Sequence, residues 1–370
     1  MTRVAITGIG TIAPGAIGIG AFREMLDSGR SAFRVLDFVP KQLIASMKLR
    51  RMNTLSRFAV AAAKLAIDDR GAALPDGTGI AMGTAFGPVQ TSVDYMQEYV
   101  EKGAALAPPQ LFAESVANAP GSHVGIEFGL RGFNVTLTQR ESSALAALMY
   151  AATQVAKGSV PAAIAGGVEE VSEITFSVLD RIGALGRCCR PFDRTRDGMV
   201  FGEGGAALIL EPNAGDAYAF VAGFGIARDR TATISDWGDG VDDVVRAMRA
   251  AIDDAGLAID DIGAIYASAN SSVRGDRLES RAIQTLFRDV PPVVATKGYF
   301  GEYAAGGALQ IITAALAIAD QKLHASIGFS EGEEEMRFAP VRESRPCKLR
   351  HVLVNSLSAG GGVVSAVLSA

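Results

Sequence analysis

The sequence predicts an α/β fold that is built from two similar halves. Short β-branched and apolar runs alternate with longer segments of helical periodicity, a pattern typical of a parallel sheet covered by helices on both faces. A Pro-Asn-Ala-Gly-Asp segment at 212–216 marks the clearest internal boundary. Because the strand–helix rhythm is similar on its two sides, we expect an internal duplication with halves at 1–211 and 212–370.

The first half begins with a β-branched run at 3–10 that ends in glycines, which predicts a buried strand entering a tight turn. Segments in which Ala, Leu and Ile recur at helical spacing predict buried helices. Apolar runs beside glycines predict the remaining strands. In chain order we expect helices at 21–28 and 55–69, strands at 79–84 and 134–138, a helix at 142–157, and strands at 162–167 and 204–210.

The second half repeats this rhythm and begins with a strand at 219–225. Its first helix is amphipathic, because charged side chains recur on one face and apolar side chains on the other. In chain order we expect a helix at 241–256, a strand at 264–267, a loop at 268–275, a helix at 278–287, a loop at 297–307, a helix at 308–321, and strands at 351–356 and 362–368.

Composition and charge exclude several functional classes. The chain has 370 residues and a formal net charge of −5, whereas a general nucleic-acid binder would carry a basic surface. The longest apolar stretch, at 308–319, is too short to span a bilayer. The N-terminus has no sustained apolar segment of the kind found in signal peptides. We therefore expect a cytoplasmic protein with neither a nucleic-acid nor a membrane partner.

Cysteine and histidine are scarce, at three residues each. Cys188 and Cys189 are adjacent and Cys347 is distant, so the spacing predicts neither a disulfide framework nor a metal site, and we expect no cofactor. Arginines around the Cys pair would favour a thiolate, yet no histidine or helix start lies beside it. We expect a salt-bridged loop there, including Asp193 and Asp197.

Glycine clusters supply two weaker hypotheses. Gly8-Ile9-Gly10 follows a predicted strand as a dinucleotide-binding motif would, although a tight turn is the commoner explanation. A nucleotide-binding oxidoreductase is therefore one alternative function. Other glycine clusters adjoin strands, where backbone N–H groups can form an oxyanion hole or simply permit close packing. These clusters lie at 166–167, 202–205, 306–307 and 360–362.

Taken in order and spacing, the motifs resemble those of the β-ketoacyl synthases of fatty-acid and polyketide synthesis. The resemblance covers nearly the whole chain and implies a thiolase-like, duplicated, five-layered α/β/α/β/α architecture. It rests on Val-Ala-Ile-Thr-Gly-Ile-Gly at 4–10, the Gly-Ser-His-Val-Gly run at 121–125, Ala-Gly-Gly-Val-Glu at 165–169, Arg-Pro-Phe-Asp at 190–193, Gly275-Asp276 with Glu279, Thr296-Lys297 and Asn355-Ser356.

The chain departs from that family at each catalytic position. Active members use a Cys at a helix start and two histidines. The Cys motif falls on Arg140-Glu141-Ser142-Ser143, so Arg140 takes the nucleophile position, or Gln139 if the alignment shifts by one residue. Asn270 or Ser268 takes the first histidine position, and Glu302 takes the second.

Lys297 is retained, and Ala359 with Gly360 stands where the family has an aromatic gate. His123, His324 and His351 match no catalytic position. His123 lies in a structural motif, His324 follows a helix expected at the surface, and His351 starts a strand.

The resemblance implies a chain-length-factor-type subunit that lacks the Cys-His-His residues. Such a subunit would pair with an active ketosynthase, or with itself, receive acyl carrier protein, and shape the acyl tunnel in polyketide or aryl-polyene synthesis. Phe112 and the segment 93–109 are candidates for the tunnel or the interface. A second alternative is an acyltransferase or hydrolase that uses Ser142 or Glu302. One hypothesis is that Arg140 and Glu302 form a buried ion pair in the former active site, and the alternative is that both side chains point to solvent.

Overall fold

The computed structural model describes residues 3–234 and 236–370. The strands before residue 215 are β1 (Val4–Ala13), β2 (Ala16–Ile17), β3 (Gly79–Gly83), β4 (Asn134–Leu137), β5 (Ala163–Glu169) and β6 (Gly204–Pro212). The helices of this half are α1 (Ile19–Ser28), α2 (Ser46–Leu49), α3 (Thr54–Arg70), α4 (Val89–Lys102), α5 (Pro109–Glu114), α6 (Ala119–Phe128), α7 (Ser143–Ala156) and α8 (Glu173–Arg181).

The rest of the chain contributes the strands β7 (Ala219–Arg228), β8 (Ala264–Ala267), β9 (Val293–Ala295), β10 (Lys322–Leu323), β11 (Arg345–Pro346), β12 (His351–Leu357) and β13 (Gly362–Ser369). Its helices are α9 (Val241–Asp254), α10 (Val273–Leu286), α11 (Lys297–Phe300) and α12 (Ala304–Asp320). Strands β10 and β11 form a separate pair. None of the helices in the described ranges is both long and apolar enough to cross a bilayer.

The strand order repeats between the two halves. The first half has the order β4-β3-β5-β6-β1, and the second half has β9-β8-β12-β13-β7, which is the same path on equivalent strands. A short antiparallel contact between β1 and β7 joins the two paths at Val4 and Val221. The predicted duplication is therefore confirmed in the topology, while the boundary between residues 211 and 212 stays a prediction.

The layers follow from which helices pack on which strands. Helices α3 and α6 cover one face of the first-half strands, and α9 covers one face of the second-half strands with α10 packed against it. Helices α7 and α12 lie between, in contact with strands of both halves. This gives the five layers expected of the thiolase-like fold. Helix α12 is buried along almost its whole length because it has sheet on both sides.

Two local predictions are wrong. The sheet is parallel only at its outer pairs, β3 with β4 and β5, and β8 with β9 and β12. Strands β12 and β13 are antiparallel because only a short turn connects them, too short for a crossover. The loops expected at 268–275 and 297–307 are partly helical, since α10 begins at Val273 and the second segment contains α11 and the start of α12.

The glycines of the first strand have a packing role. Strand β1 runs through Gly8 and Gly10 to Ala13 without a turn at that point. A Cβ atom on Gly10 would lie 2.0 Å from the carbonyl oxygen of Ala62 in α3, and one on Gly8 would lie 2.4 Å from that of Ala66. These glycines let α3 approach the strand backbone, so the prediction of a turn or a dinucleotide-binding motif here is wrong.

Candidate functional site

The site is built on a strained turn between β4 and α7. Strand β4 ends at Leu137, and one turn of 3-10 helix, Arg140–Ser142, leads into α7. Arg140 has a φ of 50°, in the left-handed region that non-glycine residues seldom adopt. A strained strand-to-helix turn is the backbone geometry that presents a nucleophile in other enzymes. Here that geometry presents a guanidinium group.

Arg140 turns its side chain toward the loop around residue 234. Its Nη1 donates a hydrogen bond to the carbonyl oxygen of Ile234 at 2.8 Å. Its Nε lies 3.8 Å from Oε2 of Glu141 and has no hydrogen-bond partner. The Arg140 guanidinium is therefore only partly satisfied by the protein.

Serine hydroxyls connect the turn to the loop between β12 and β13 through hydrogen bonds. The Ser142 hydroxyl donates to the carbonyl oxygen of Ser356 at 3.0 Å and lies 2.8 Å from the Ser358 hydroxyl. The Ser143 hydroxyl accepts from the N–H of Gln139 at 2.8 Å. Because Ser142 is fully buried and bonded to serines and backbone, its position fits a structural role rather than that of a nucleophile.

The two residues predicted to occupy the histidine positions contact each other directly. Nδ2 of Asn270 donates to Oε2 of Glu302 at 2.8 Å. Oε1 of Glu302 accepts from the Lys297 ammonium and from the N–H of Tyr303, the latter at 2.7 Å. Lys297 and Glu302 are buried to within 1% of complete burial. We call Asn270, Lys297 and Glu302 the saturated cluster, since both oxygens of the Glu302 carboxylate accept hydrogen bonds from protein donors.

The hypothesis of an ion pair between Arg140 and Glu302 is wrong. Glu302 binds Lys297 and Asn270, while Arg140 faces Glu141 and the Ile234 carbonyl. Lys297 lies two residues after β9 and five residues before Glu302, so short-range geometry brings these two charges together. Arg140 belongs to the first half of the chain, and the backbone conformation of the strained turn determines the direction of its side chain.

Asp276 holds the loop that carries Asn270. Its carboxylate accepts the N–H groups of Asn270 at 2.9 Å, Ser271 at 3.1 Å and Phe192 at 2.7 Å. Burial raises the pKa of Asp276 to about 6, although Arg196, 3.8 Å away, and these N–H groups oppose the shift. Asp276 is thus a positioning residue for the saturated cluster.

A cavity of about 440 Å³ opens beside the turn. Arg140, Glu141 and Tyr303 line it together with Ala359, the residue predicted at the gate. Gly360 follows the gate, and a Cβ atom built there would lie 4.0 Å from Nη1 of Arg140. The apolar part of the wall comes from Leu179, Ile182, Met199, Trp237 and Val273.

Two functional candidates, Glu141 and Tyr303, are missed by the sequence reasoning. Glu141 is 1% exposed, and burial raises its pKa to about 7, with Arg140 opposing and Glu302 reinforcing the shift. Tyr303 is fully buried at a φ of 91°, and burial raises the pKa of its hydroxyl well above the usual value. A charged residue directly before Ser142-Ser143 and a tyrosine directly after Glu302 were the available signals.

Phe112 lies away from this cavity. It belongs to α5, is 58% exposed, and packs against Tyr95 of α4 with ring centroids 5.5 Å apart. Its predicted role in a tunnel or interface therefore depends on a second subunit and stays a prediction.

The cysteines and histidines occupy structural environments. Burial raises the pKa of Cys189 to about 12, so its thiol stays protonated despite the neighbouring arginines. His324 is 2% exposed, which corrects the expected surface position, and burial lowers its pKa to about 4. His123 bonds Glu114 at 2.8 Å, and His351 bonds Ser369 at 2.8 Å.

Comparisons with known proteins agree on one family. Residues 38–215 match the model of the beta-ketoacyl synthase N-terminal domain, and residues 218–330 match that of the C-terminal domain. The chain is 30% identical to the ketoacyl synthase alpha subunit of the tetracenomycin polyketide synthase of Streptomyces glaucescens, over 90% of this chain and 88% of that protein. It is 26% identical to 3-oxoacyl-[acyl-carrier-protein] synthase 2 of Vibrio cholerae, over 97% of both.

Solved structures show the same fold over the full length. The ishigamide ketosynthase/chain length factor superposes with a TM-score of 0.93 at 27% identity, covering 100% of this chain and 99% of that chain. A beta-ketoacyl synthase from Burkholderia phymatum superposes with a TM-score of 0.89 at 26% identity and the same coverage.

Proposed function

Because the chain belongs to the β-ketoacyl synthase family, we propose that it is a subunit that has lost the Cys-dependent condensing chemistry. In this proposal it pairs with an active ketosynthase, receives acyl carrier protein, and shapes the acyl tunnel that sets chain length in polyketide or aryl-polyene synthesis. The name of one similar structure, a ketosynthase/chain length factor, supports this choice within the family.

The observation that carries the proposal is Arg140 at the strained turn. The left-handed backbone and the helix start that would present a thiol present a guanidinium instead. Arginine stays protonated in proteins and cannot form a thioester. The Gln139 alternative leads to the same conclusion, since an amide side chain forms no acyl-enzyme either.

The saturated cluster also supports the loss of condensing chemistry, because it contains the residues predicted at the two histidine positions. Condensing members of the family use two histidines to handle the extender, and here Asn270 and Glu302 bind each other at 2.8 Å. The Glu302 carboxylate also holds the Lys297 ammonium and the N–H of Tyr303. A side chain bonded in this way is poorly placed for acid–base chemistry on a substrate.

Two surface features favour association with another ketosynthase-type subunit. Strand β4 is the outermost strand of the sheet, paired with β3 on one edge, and an open edge is a template for pairing. Helices α4 and α5 and their surroundings also expose apolar side chains of the kind found in protein interfaces. These side chains are Met96, Val100, Leu106, Phe112 and Val116.

Co-expression tests the pairing. We expect this chain and a ketosynthase of the same organism with an intact Cys to co-purify as a one-to-one complex, measured by light scattering after size exclusion. Val100→Asp should break the complex, while Ile226→Asp, at another exposed apolar position on β7, should leave it intact. A chain that remains a homodimer beside such a partner would refute the heterodimer.

A further inference from the structure

A second cavity, of about 680 Å³, lies at the start of helix α3 and shares no lining residue with the cavity beside Arg140. Its walls come from the turn of 3-10 helix at Pro40–Gln42, from α2 and from the first turn of α3. Three of its lining residues are the cations Lys41, Arg50 and Arg57, and Ser46 adds a hydroxyl group. None of the described lining residues is acidic.

The absence of acidic lining residues distinguishes this cavity from the one beside Arg140, where three carboxyl groups line the wall together with the cations. The carboxylates nearest to the second cavity in the described chain do not offset its charge. Asp37 precedes the lining segment, and Glu127 pairs with Lys48 at 2.7 Å. Three cations around one concavity, on a chain with a net charge of −5, therefore create a local positive potential.

The Arg57 guanidinium is only partly satisfied by the protein. Its Nη2 donates to the carbonyl oxygen of Leu49 at 3.3 Å, and its Nε is buried without a hydrogen-bond partner. Because a guanidinium has five N–H donors, most of its hydrogen-bonding capacity remains for a ligand. Helix α3 has no acidic residue in its first turn, so the positive end of the helix dipole adds to the charge of Arg57.

The chemistry of the lining favours a phosphate group. Arginine forms paired hydrogen bonds to phosphate oxygens, lysine contributes a compact positive charge, and a serine hydroxyl donates one further bond. A phosphate monoester carries nearly two negative charges at neutral pH and has three strongly accepting oxygens. It therefore complements three cations better than a carboxylate, which has one charge and two oxygens.

We propose that this cavity binds a phosphate monoester, with the phosphate at Lys41, Arg50 and Arg57 and the ester substituent beside Met47. Met47 is 88% exposed, so an apolar side chain stands next to the cations. A soluble glycerol phosphate and the headgroup of phosphatidic acid share this chemistry. The site goes beyond the proposed function, because binding here does not require pairing with a ketosynthase.

Two measurements on the full chain test the site and distinguish the two sources of phosphate. Calorimetry uses glycerol 3-phosphate as the soluble monoester and glycerate as the carboxylate control. Co-sedimentation uses vesicles of phosphatidic acid and phosphatidylcholine, with vesicles of phosphatidylcholine alone as the control. We expect the phosphate group to bind about tenfold more tightly than the carboxylate, because it makes more charge-assisted hydrogen bonds.

Substitutions locate the binding at this cavity. Arg50→Gln and Arg57→Gln should each lower the affinity about tenfold, since each removes charge-assisted hydrogen bonds to the phosphate. Lys64→Gln is the matched control, because it removes a cation from the same helix, where Lys64 pairs with Asp68 outside the lining. The affinity of this control should stay within about twofold of the unchanged protein. Arg50 is exposed, so its variant keeps the test valid even if Arg57→Gln does not fold.

Binding of glycerol 3-phosphate would support the site and assign a soluble ester, and binding to phosphatidic acid vesicles alone would support it and assign the lipid headgroup. Equal affinity for glycerate, or an affinity that Arg50→Gln leaves unchanged, would overturn the proposal. Absence of binding to both phosphate probes would also overturn it. If an acidic carrier protein then bound in a manner that depends on Arg50, the cavity would belong to a protein-docking surface instead.

Discussion

The saturated cluster and the strained turn lie close together, but their charged groups are satisfied to different degrees. In the cluster, the Glu302 carboxylate receives three donors and the Lys297 ammonium is fully buried. At the turn, Arg140, Glu141 and Tyr303 each retain an unpartnered atom beside a cavity. The first arrangement satisfies its buried charges within the protein, whereas the second leaves buried polar atoms without hydrogen-bond partners.

The largest effect should come from breaking the saturated cluster. Lys297→Met leaves the Glu302 carboxylate buried without its counter-charge, and removing one partner of a buried pair costs about 3–5 kcal/mol. We expect that loss in the free energy of unfolding, measured by urea titration. The double variant Lys297→Met with Glu302→Leu should recover most of it, because two apolar side chains need no counter-charge.

Arg140→Gln is the matched control at the turn. Its side chain is 30% exposed and bonds only partly to the protein, so its loss should cost about 1 kcal/mol or less. A cost equal to that of Lys297→Met would show that the turn is also a closed structural site and would remove the contrast between the two regions.

The next effect is the pH dependence of stability contributed by Glu141. Burial raises its pKa from 4.5 to about 7, so the folded state binds this proton more tightly than the unfolded state does. The group therefore lowers stability as the pH rises from its unfolded pKa to its folded pKa, by roughly 3–4 kcal/mol. Glu141→Gln should be more stable than the unchanged protein at about pH 8 and equal to it near pH 4.

Unfolding curves of both proteins across this range provide the measurement. Other buried carboxyls with raised pKa values, such as Glu169 and Glu279, contribute equally to both proteins and cancel in the difference. A difference that does not change with pH would mean that the pKa of Glu141 is the same in the folded and unfolded states, and a strong pair with Arg140 would make the unchanged protein gain stability as the pH rises.

A smaller effect distinguishes two adjacent cysteines. Cys189 is buried beside the saturated cluster, with its Sγ 3.3 Å from the carbonyl oxygen of Lys297, whereas Cys188 is exposed. Iodoacetamide should label Cys188 in the folded protein and Cys189 only after denaturation, as peptide mass spectrometry would show. Rapid labelling of Cys189 in the native state would mean that the cluster opens.

The sequence predicted the fold well because strand and helix periodicities are local signals. The errors occurred where tertiary contacts override local signals. Gly8 and Gly10 resemble a turn in sequence but lie within a strand, because their missing side chains admit α3. The segment 297–307 contains glycines typical of a loop, yet burial between the two halves of the sheet makes part of it helical.

The site was predicted in its positions but not in its pairings. Motif spacing placed Arg140, Asn270 and Glu302 at one site, and the structure brings Asn270 and Glu302 into contact. The partner of Glu302 proved to be Lys297, since a distance between side chains depends on rotamers that spacing does not encode. Glu141 and Tyr303 were missed for a similar reason, because their importance lies in burial and in hydrogen bonds that are absent.

The central claim is that the strained turn cannot hold an acyl group covalently. Intact-mass and peptide mass spectrometry after incubation with acyl thioesters of an acyl carrier protein test it most directly, with an active ketosynthase run in parallel as the positive control. We predict no acyl adduct on residues 139–143, while the active enzyme gains one acyl group. An adduct on the Arg140 turn, whether at Glu141, Ser142 or Ser143, would contradict the claim.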